Sequence, residues 1–558
     1  MNQAMAHNVH PLLRGVKPCD VNVAATHPLL RVQGLRVAIQ GNGTAMYAVQ
    51  DVDFDIHANE VVCLVGESGS GKSMTAHAIM GLLPEGVRIA GGRILLHGQD
   101  VLTLRTSEHR KLRGRKMGMI FQEPMTALNP IMRVGVQVEE VLQLHTDLNA
   151  QQRRARVQEL FEAVRLPDAP QLARAYPFEL SGGQRQRVMI AIALALAPDL
   201  LIADEPTTAL DVTTQAQILH LIQELQDRLR IGVLFITHDF GVVADIADRI
   251  VVMHAGQVLE HGSAQQVLHN PQHAYTQKLL AAVPRLPKKT KETQTETPRR
   301  LDKVLLQVEN LQKTWNSHGR EVPALKNVSL HLHVGETLGV VGESGSGKST
   351  LGRTLVGLYA PDGGSIRLDG QELLGMPERQ RRALRNSMQM VFQDPYASLN
   401  PRHRVGETIM QGPMAFGTSR GAAQHTAFEL LSLVGLDETA AKRYPHQFSG
   451  GQRQRICIAR ALALAPRLLV ADEPVSSLDV SVQAQVLALL ADIRQRLQLA
   501  MLFITHDLRV AAQICDRILV MQHGEIVETG SATDIFFHPQ HPYTQALIAA
   551  IPGRKITA

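Results

Sequence analysis

Apolar residues along this chain fall into short blocks with two different periods. Val61-Val62-Cys63-Leu64-Val65 and Leu338-Gly339-Val340-Val341 are continuous runs of strand length, the pattern of strands buried on both faces. Leu200-Leu201-Ile202-Ala203 and Leu468 to Ala471 read the same way, but each ends in two acids, Asp204-Glu205 and Asp472-Glu473. Val233-Leu234-Phe235-Ile236-Thr237 is a further strand, closed by His238. Elsewhere the period is helical. Val157, Leu160, Phe161 and Val164 are spaced i, i+3, i+4, i+7, and Ala427, Leu430, Leu431 and Val434 repeat the spacing, which predicts helices with one buried face. Strands alternating with helices predict an α/β fold, a mostly parallel sheet with crossover helices. The longest apolar run, Val188 to Ala197, stops at Pro198-Asp199, half of the roughly 20 residues a membrane-spanning helix needs. The first 29 residues hold no apolar core of a signal peptide, so the chain is expected to stay in the cytoplasm.

The glycines turn this alternation into a site. Gly66-Glu67-Ser68-Gly69-Ser70-Gly71-Lys72-Ser73 recurs letter for letter as Gly342-Glu343-Ser344-Gly345-Ser346-Gly347-Lys348-Ser349. Each follows a predicted strand and opens a helical pattern, the context of a phosphate-binding loop. Glycines let backbone N–H groups wrap a phosphate, and the helix aims its positive end at the anion. The lysine adds a point charge near the outer phosphates, and the serine hydroxyl can ligate Mg²⁺.

The repetition extends further. Lys348 follows Lys72 by 276 positions, and Phe392-Gln393-Asp394-Pro395 follows Phe121-Gln122-Glu123-Pro124 by 271. Ser449 to Arg455 follows Ser181 to Arg187 by 268, as do Asp472 after Asp204, His506 after His238 and His541 after His273. So long a period means domain duplication rather than a solenoid. The expected division is an N-terminal extension over 1–28, a first domain over 29–283, a linker over 284–303 and a second domain over 304–558. Within each domain a mostly helical subdomain is expected between the phosphate loop and the Ser-Gly-Gly-Gln.

Composition narrows the reading without redirecting it. At 558 residues, three or four domains would follow from about 150 residues each. A net charge of +5 without a visible basic face gives no footprint for nucleic acid. The four cysteines, Cys19, Cys63, Cys457 and Cys515, have no metal spacing, so neither a disulfide framework nor a zinc module is expected.

An acid at the carboxyl end of a strand is where a phosphate-loop protein keeps its Mg²⁺-orienting aspartate, and a following acid can polarise a water for in-line attack. Taken alone, the acids fit better as caps of a following helix N-terminus. The pattern occurs twice, each time 23 residues after a Ser-Gly-Gly-Gln, and that favours chemistry. Ser181-Gly182-Gly183-Gln184 is itself a second glycine-bearing helix start, with an anion-favouring N-terminus and glycines that permit close backbone approach.

With these residues in order and doubled, the chain resembles the ATPase domains of ABC transporters over nearly everything except the extension and linker. The resemblance implies two tandem P-loop NTPase domains that bind ATP and Mg²⁺. It implies that Lys72 and Lys348 bind the β- and γ-phosphates, within cradles of Gly66, Ser68, Gly69, Gly71 and Met74 and of Gly342, Ser344, Gly345, Gly347 and Thr350. Ser73, Gln122 and Asp204, and Ser349, Gln393 and Asp472, would hold Mg²⁺. Glu205 and Glu473 would be general bases, His238 and His506 would contact the γ-phosphate and attacking water, and Asp211 and Asp479 would couple the sites. Closed head to tail, each phosphate loop would share its ATP with the opposite signature, Ser449, Gly451 and Gln452 or Ser181, Gly183 and Gln184. Trp315, placed after Val308-Glu309-Asn310-Leu311, would stack on adenine. Ile39 holds the matching position in the first half, with Tyr47 the nearest aromatic.

Glu123 to Pro130, Asp394 to Pro401, Pro271 to Thr276 and Pro539 to Thr544 resemble ATP-binding subunits of oligopeptide, dipeptide, glutathione and nickel importers. Two fused in one chain are most like the glutathione-importer type. The resemblance implies two integral-membrane permeases docking near 123–142 and 394–413, an extracytoplasmic solute-binding protein, no nucleic-acid partner, and a peripheral place on the cytoplasmic face of the inner membrane. No iron–sulfur cluster is expected, because no cysteine-rich tail follows the Tyr-Thr elements. Duplicated ATPases acting on ribosomes carry a longer charged linker, those acting on DNA carry zinc-binding cysteine pairs, and fused sugar-importer ATPases carry one degraded half. Solute identity is not readable from the chain.

Overall fold

The computed structural model describes residues 27–40, 46–208, 210–284, 303–317, 320–476 and 478–553. Residues 1–26 of the expected extension and 285–302 of the expected linker lie outside these. The chain divides into two compact units, the first made chiefly of residues up to Val283 and the second of Pro284 to Ile551.

In the first unit, β1 (Leu30–Ile39), β2 (Met46–Ile56), β4 (Val87–Leu96) and β5 (Gln99–Asp100) form an antiparallel sheet in the order β2-β1-β4-β5. The second sheet holds β3 (Val61–Val65), β6 (Met117–Ile120), β7 (Leu200–Asp204), β8 (Gly232–Thr237), β9 (Arg249–His254) and β10 (Gln257–Ser263), ordered β10-β9-β3-β8-β7-β6. All its pairs are parallel except β9 with β10.

The second unit repeats this strand for strand. Its antiparallel sheet is β12-β11-β14-β15, with β11 (Val304–Ser317), β12 (Arg320–His333), β14 (Gly363–Leu368) and β15 (Gln371–Glu372). Its mainly parallel sheet is β16-β17-β18-β13-β19-β20, with β13 (Thr337–Val341), β16 (Met388–Val391), β17 (Leu468–Asp472), β18 (Ala500–Thr505), β19 (Arg517–Gln522) and β20 (Glu525–Ser531).

The unbroken apolar runs follow from packing on both faces of the sheet. Every residue of β3, β7 and β8 is buried. In β17, Leu468 and Val470 point into the core shared with the antiparallel sheet, while Leu469 and Ala471 point into the core shared with the helices. Alternate side chains of a strand face opposite ways, so with two apolar cores no polar position is left. The helices Ala150–Ala163 and Arg420–Leu433 belong to the helical layers between phosphate loop and Ser-Gly-Gly-Gln. Their predicted faces are buried, Phe161 and Leu431 completely. The antiparallel sheet is the element the apolar pattern does not announce.

Candidate active site

Ligands of open α/β sheets bind outside the carboxyl ends of the parallel strands, and here four adjacent strands deliver the singled-out residues to that edge. β3 runs into the phosphate loop, β8 into His238, β7 into Asp204 and Glu205, and β6 into Gln122. β13, β18, β17 and β16 do the same for Lys348, His506, Asp472 and Glu473, and Gln393.

Each loop is shaped around its own lysine. The Lys72 ammonium donates to the carbonyls of Gly66 at 2.8 Å and Glu67 at 2.9 Å, and lies 3.4 Å from Ser70 Oγ. Lys348 repeats this with Gly342 and Glu343, both at 2.8 Å, and Ser346 at 3.5 Å. Both lysines are buried. Burial lowers the pKa of Lys348 although the Glu473 and Asp472 carboxylates work against the shift. Gly71 and Gly347 precede the loop helices, Lys72–Met80 and Lys348–Leu355, with φ of 99° and 103°. A Cβ at Gly71 would sit 2.6 Å from the Ala48 carbonyl oxygen, so both conformation and space require glycine. Ser68, Gly69, Ser344 and Gly345 are exposed at the loop tips, while Met74 packs against the hydrophobic core. The Thr350 carbonyl accepts from Thr354.

The serine after each lysine is already joined to the strand-end aspartate, Ser73 Oγ to Asp204 at 3.0 Å and Ser349 Oγ to Asp472 at 2.9 Å. Burial pushes the Asp204 carboxyl up to about 6, with Ser73 opposing and Glu205 reinforcing, and it raises Asp472 likewise. Asp472 Oδ2 is buried without a hydrogen-bond partner, and the nearest cation, Arg353, stands 4.0 Å away. A carboxylate oxygen left unpaired inside a protein is costly, and a divalent cation beside the Ser349 hydroxyl fits this one.

Glu205 and Glu473 are held differently. Both have a φ of 46°, left-handed for a non-glycine residue, a strain of about 1–3 kcal/mol that tends to persist at functional positions. Their N–H groups donate to Ile236 and Ile504 at 2.9 Å. Glu205 accepts from Gln122 at 3.0 Å and Thr208 at 2.9 Å, and His238 Nδ1 lies 3.2 Å away. Glu473 accepts from Gln393 at 2.9 Å, with His506 Nδ1 at 3.3 Å. Burial pushes the Glu205 carboxyl upward, but His238, Thr208 and Lys72 outweigh it and leave it at about 2. The neighbouring acids therefore part, one ionised throughout neutral pH and the other poised near 6. Neither caps a helix.

Ser181 and Gln184 cap each other. Ser181 N–H donates to the Gln184 side chain at 2.9 Å, and Gln184 N–H to Ser181 Oγ at 3.3 Å, a capping box for the helix Gly182–Leu194. Ser449 and Gln452 do the same before Gly450–Leu462. The second glycines make room for helix packing: a Cβ at Gly183 would lie 2.5 Å from Thr214 Cγ2, and one at Gly451 would collide with Val482. Asp479 precedes the helix Val480–Leu497 without a side-chain cap bond, and Asp211 accepts from Thr213.

Trp315 lies inside β11, paired with Val322, rather than beyond the first strand. It stands edge-on to Tyr359 with ring centroids 4.8 Å apart, and the Lys313 ammonium lies 5.1 Å from its ring. Ile39 ends β1, and Tyr47 stands on β2 opposite Ala38. Tyr359, Lys313 and Thr208 belong to no motif of the sequence. With 38% of Trp315 exposed and it the chain's only tryptophan, saturating ATP is expected to change the intrinsic fluorescence. An unaltered spectrum would remove Trp315 from the adenine site.

A family model described as ABC transporter matches residues 49–208 and 325–476. One described as the oligopeptide/dipeptide transporter C-terminal region matches 259–304 and 527–556. The chain belongs to the ABC transporter family, as a two-cassette, ATP-hydrolysing subunit of the oligopeptide/dipeptide type. It is 46% identical to the glutathione import ATP-binding protein GsiA of Salmonella typhimurium strain LT2, over 94% of this chain and 89% of that one. Identity to the protein of the same name from Escherichia coli K12 is 45%, with the same coverage. Among solved structures, a dimeric post-hydrolysis state of the ATP-binding cassette MJ0796 bound to ADP and Pi is 30% identical, covering 41% of this chain and 99% of that one, with a TM-score of 0.38. The cassette cbiO1 from Clostridium perfringens is 27% identical, covering 42% and 91%, with a TM-score of 0.39. A subunit of this kind works with membrane permeases, and among the described residues no helix is long and apolar enough to cross a membrane.

Proposed function

We propose that this chain powers import of a small peptide-like solute, glutathione or a short peptide, from the cytoplasmic face of the inner membrane. The observation that carries the ATPase half of this reading is the arrival of lysine, serine–aspartate, glutamate–histidine and glutamine at the ends of four adjacent parallel strands, twice over. Lys72 and Lys348 bind the outer phosphates. Ser73, Asp204 and Gln122, and Ser349, Asp472 and Gln393, hold Mg²⁺, which when bound neutralises charge on those phosphates. Glu205 and Glu473 accept a proton from the attacking water, and His238 and His506 orient it against the γ-phosphate.

The solute class is supported by the C-terminal oligopeptide/dipeptide regions and by relatives named for glutathione import. Docking of two permeases near 123–142 and 394–413 is supported by large apolar side chains left in water there, including Met125, Ile131 (82% exposed) and Tyr396. An extracytoplasmic binding protein supplies the solute. The decisive experiment is to purify the chain with its membrane partners, reconstitute them in vesicles and measure ATP-dependent uptake of labelled glutathione and labelled dipeptide. Vesicles that hydrolyse ATP but take up neither would refute the solute class.

A further inference from the structure

The Pro-Gln-His-x-Tyr-Thr elements at the end of each unit have no part in the chemistry above, yet both reach the phosphate loop. Each first hooks onto the edge strand. The Glu260 carboxylate accepts from the N–H groups of Gln272 at 2.7 Å and His273 at 3.1 Å. Glu528 accepts from Gln540 at 2.7 Å and His541 at 3.0 Å. The histidine then caps the following helix, Ala274–Ala282 or Pro542–Ala549, its Nδ1 accepting from Tyr275 N–H at 3.1 Å or Tyr543 N–H at 3.2 Å.

With the first helical turn fixed from two sides, the tyrosine ring is aimed at the loop. The Tyr275 ring lies against His254, centroids 4.3 Å apart, and its hydroxyl accepts from Glu67 N–H at 3.4 Å. The Tyr543 hydroxyl accepts from Glu343 N–H at 3.0 Å. Glu67 and Glu343 are the second residues of the two loops, and their carbonyls receive the lysine ammonium. The phenol therefore holds one side of this residue while the lysine holds the other.

We propose that Tyr275 and Tyr543 are positioning residues of the phosphate loops, so that the C-terminal element sets the affinity of each loop for ATP. Burial, helped by the Glu343 carboxylate, pushes the Tyr543 phenol up to about 12, so it stays neutral and available as an acceptor throughout the working range. The proposal rests on the reading that the loops hold ATP.

The test is steady-state ATP hydrolysis by the full chain with Tyr543→Phe, which keeps the ring and removes only the hydroxyl. Loss of one such bond is expected to raise KM for ATP about fivefold with kcat unchanged. The nucleotide-free melting temperature should also hold. Tyr275→Phe, with the longer bond, should show a smaller rise. An unchanged KM in Tyr543→Phe, or a fall in kcat and melting temperature without a KM shift, overturns the proposal in favour of a purely structural tyrosine. Lys348→Ala measured alongside by ATP binding separates the two readings. If it binds ATP normally, the loop reading itself fails; if it loses ATP while Tyr543→Phe does not shift KM, only the positioning role fails.

Discussion

Replacing both Glu205 and Glu473 by glutamine is expected to cut ATP turnover by about 10²–10⁴-fold, the usual worth of a positioned base, while ATP binding survives. Glutamine keeps the size and most of the bonds. Its amide oxygen can still accept from Gln122 and Thr208, or from Gln393, and its NH₂ can face the histidine nitrogen, so the pocket need not rearrange. What disappears is a negative charge that His238 and Lys72 hold ionised at Glu205, and with it the group able to take the proton of an attacking water. Hydrolysis and ATP binding measured on the same preparation decide the matter. Retention of more than about a tenth of wild-type turnover would contradict the role assigned here, since a general base is worth at least a hundredfold. The single substitutions carry further information, because the settings differ. Glu205 is bonded by the Thr208 hydroxyl, whereas the equivalent Ser476 turns its hydroxyl to the Glu473 carbonyl.

These residues could be found in the sequence because the physics restricts them to few residue types at rigid places. Only glycine tolerates the conformation at Gly71 and Gly347, and only a strand buried on both faces gives a run such as Leu200–Ala203 broken abruptly by two acids. The antiparallel sheet was hidden for the opposite reason. In β1 the pairing register with β2 slips between Val32 and Leu35, around Gly34, and again before Val37 and Ala38, so no clean alternation survives. The same slippage recurs in β11 before Trp315, and the strand therefore runs on past the point where its pattern stops.

Long-range bonds leave still less trace. Tyr275 and Tyr543 meet a backbone N–H some 200 positions earlier, and any residue type can supply that amide. The signature glycines show that one residue type can answer two demands. Gly183 and Gly451 make room for a neighbouring helix, an explanation no local pattern separates from room for a ligand.

Lys348→Ala, and equally Lys72→Ala, is expected to weaken ATP binding at the affected loop by about 10³-fold, since a charge pair near 4 Å at an effective dielectric of 20 is worth about 4 kcal/mol. Packing is the competing explanation for any loss, because Lys348 is buried and its ammonium supports two loop carbonyls and Ser346. Lys348→Met separates the two effects. Methionine restores most of the apolar stem without the charge, so a packing role predicts recovery of ATP affinity and a charge role predicts none. Burial lowers the pKa of this ammonium, and a phosphate beside it would oppose that shift. The readout is equilibrium binding of ATP with Mg²⁺, together with the rise in melting temperature that ATP confers, about 2.7 kcal/mol of stabilisation at a hundredfold excess over Kd. Both should vanish at the affected loop in Lys348→Met as fully as in Lys348→Ala, and recovery in the methionine variant would return Lys348 to the core.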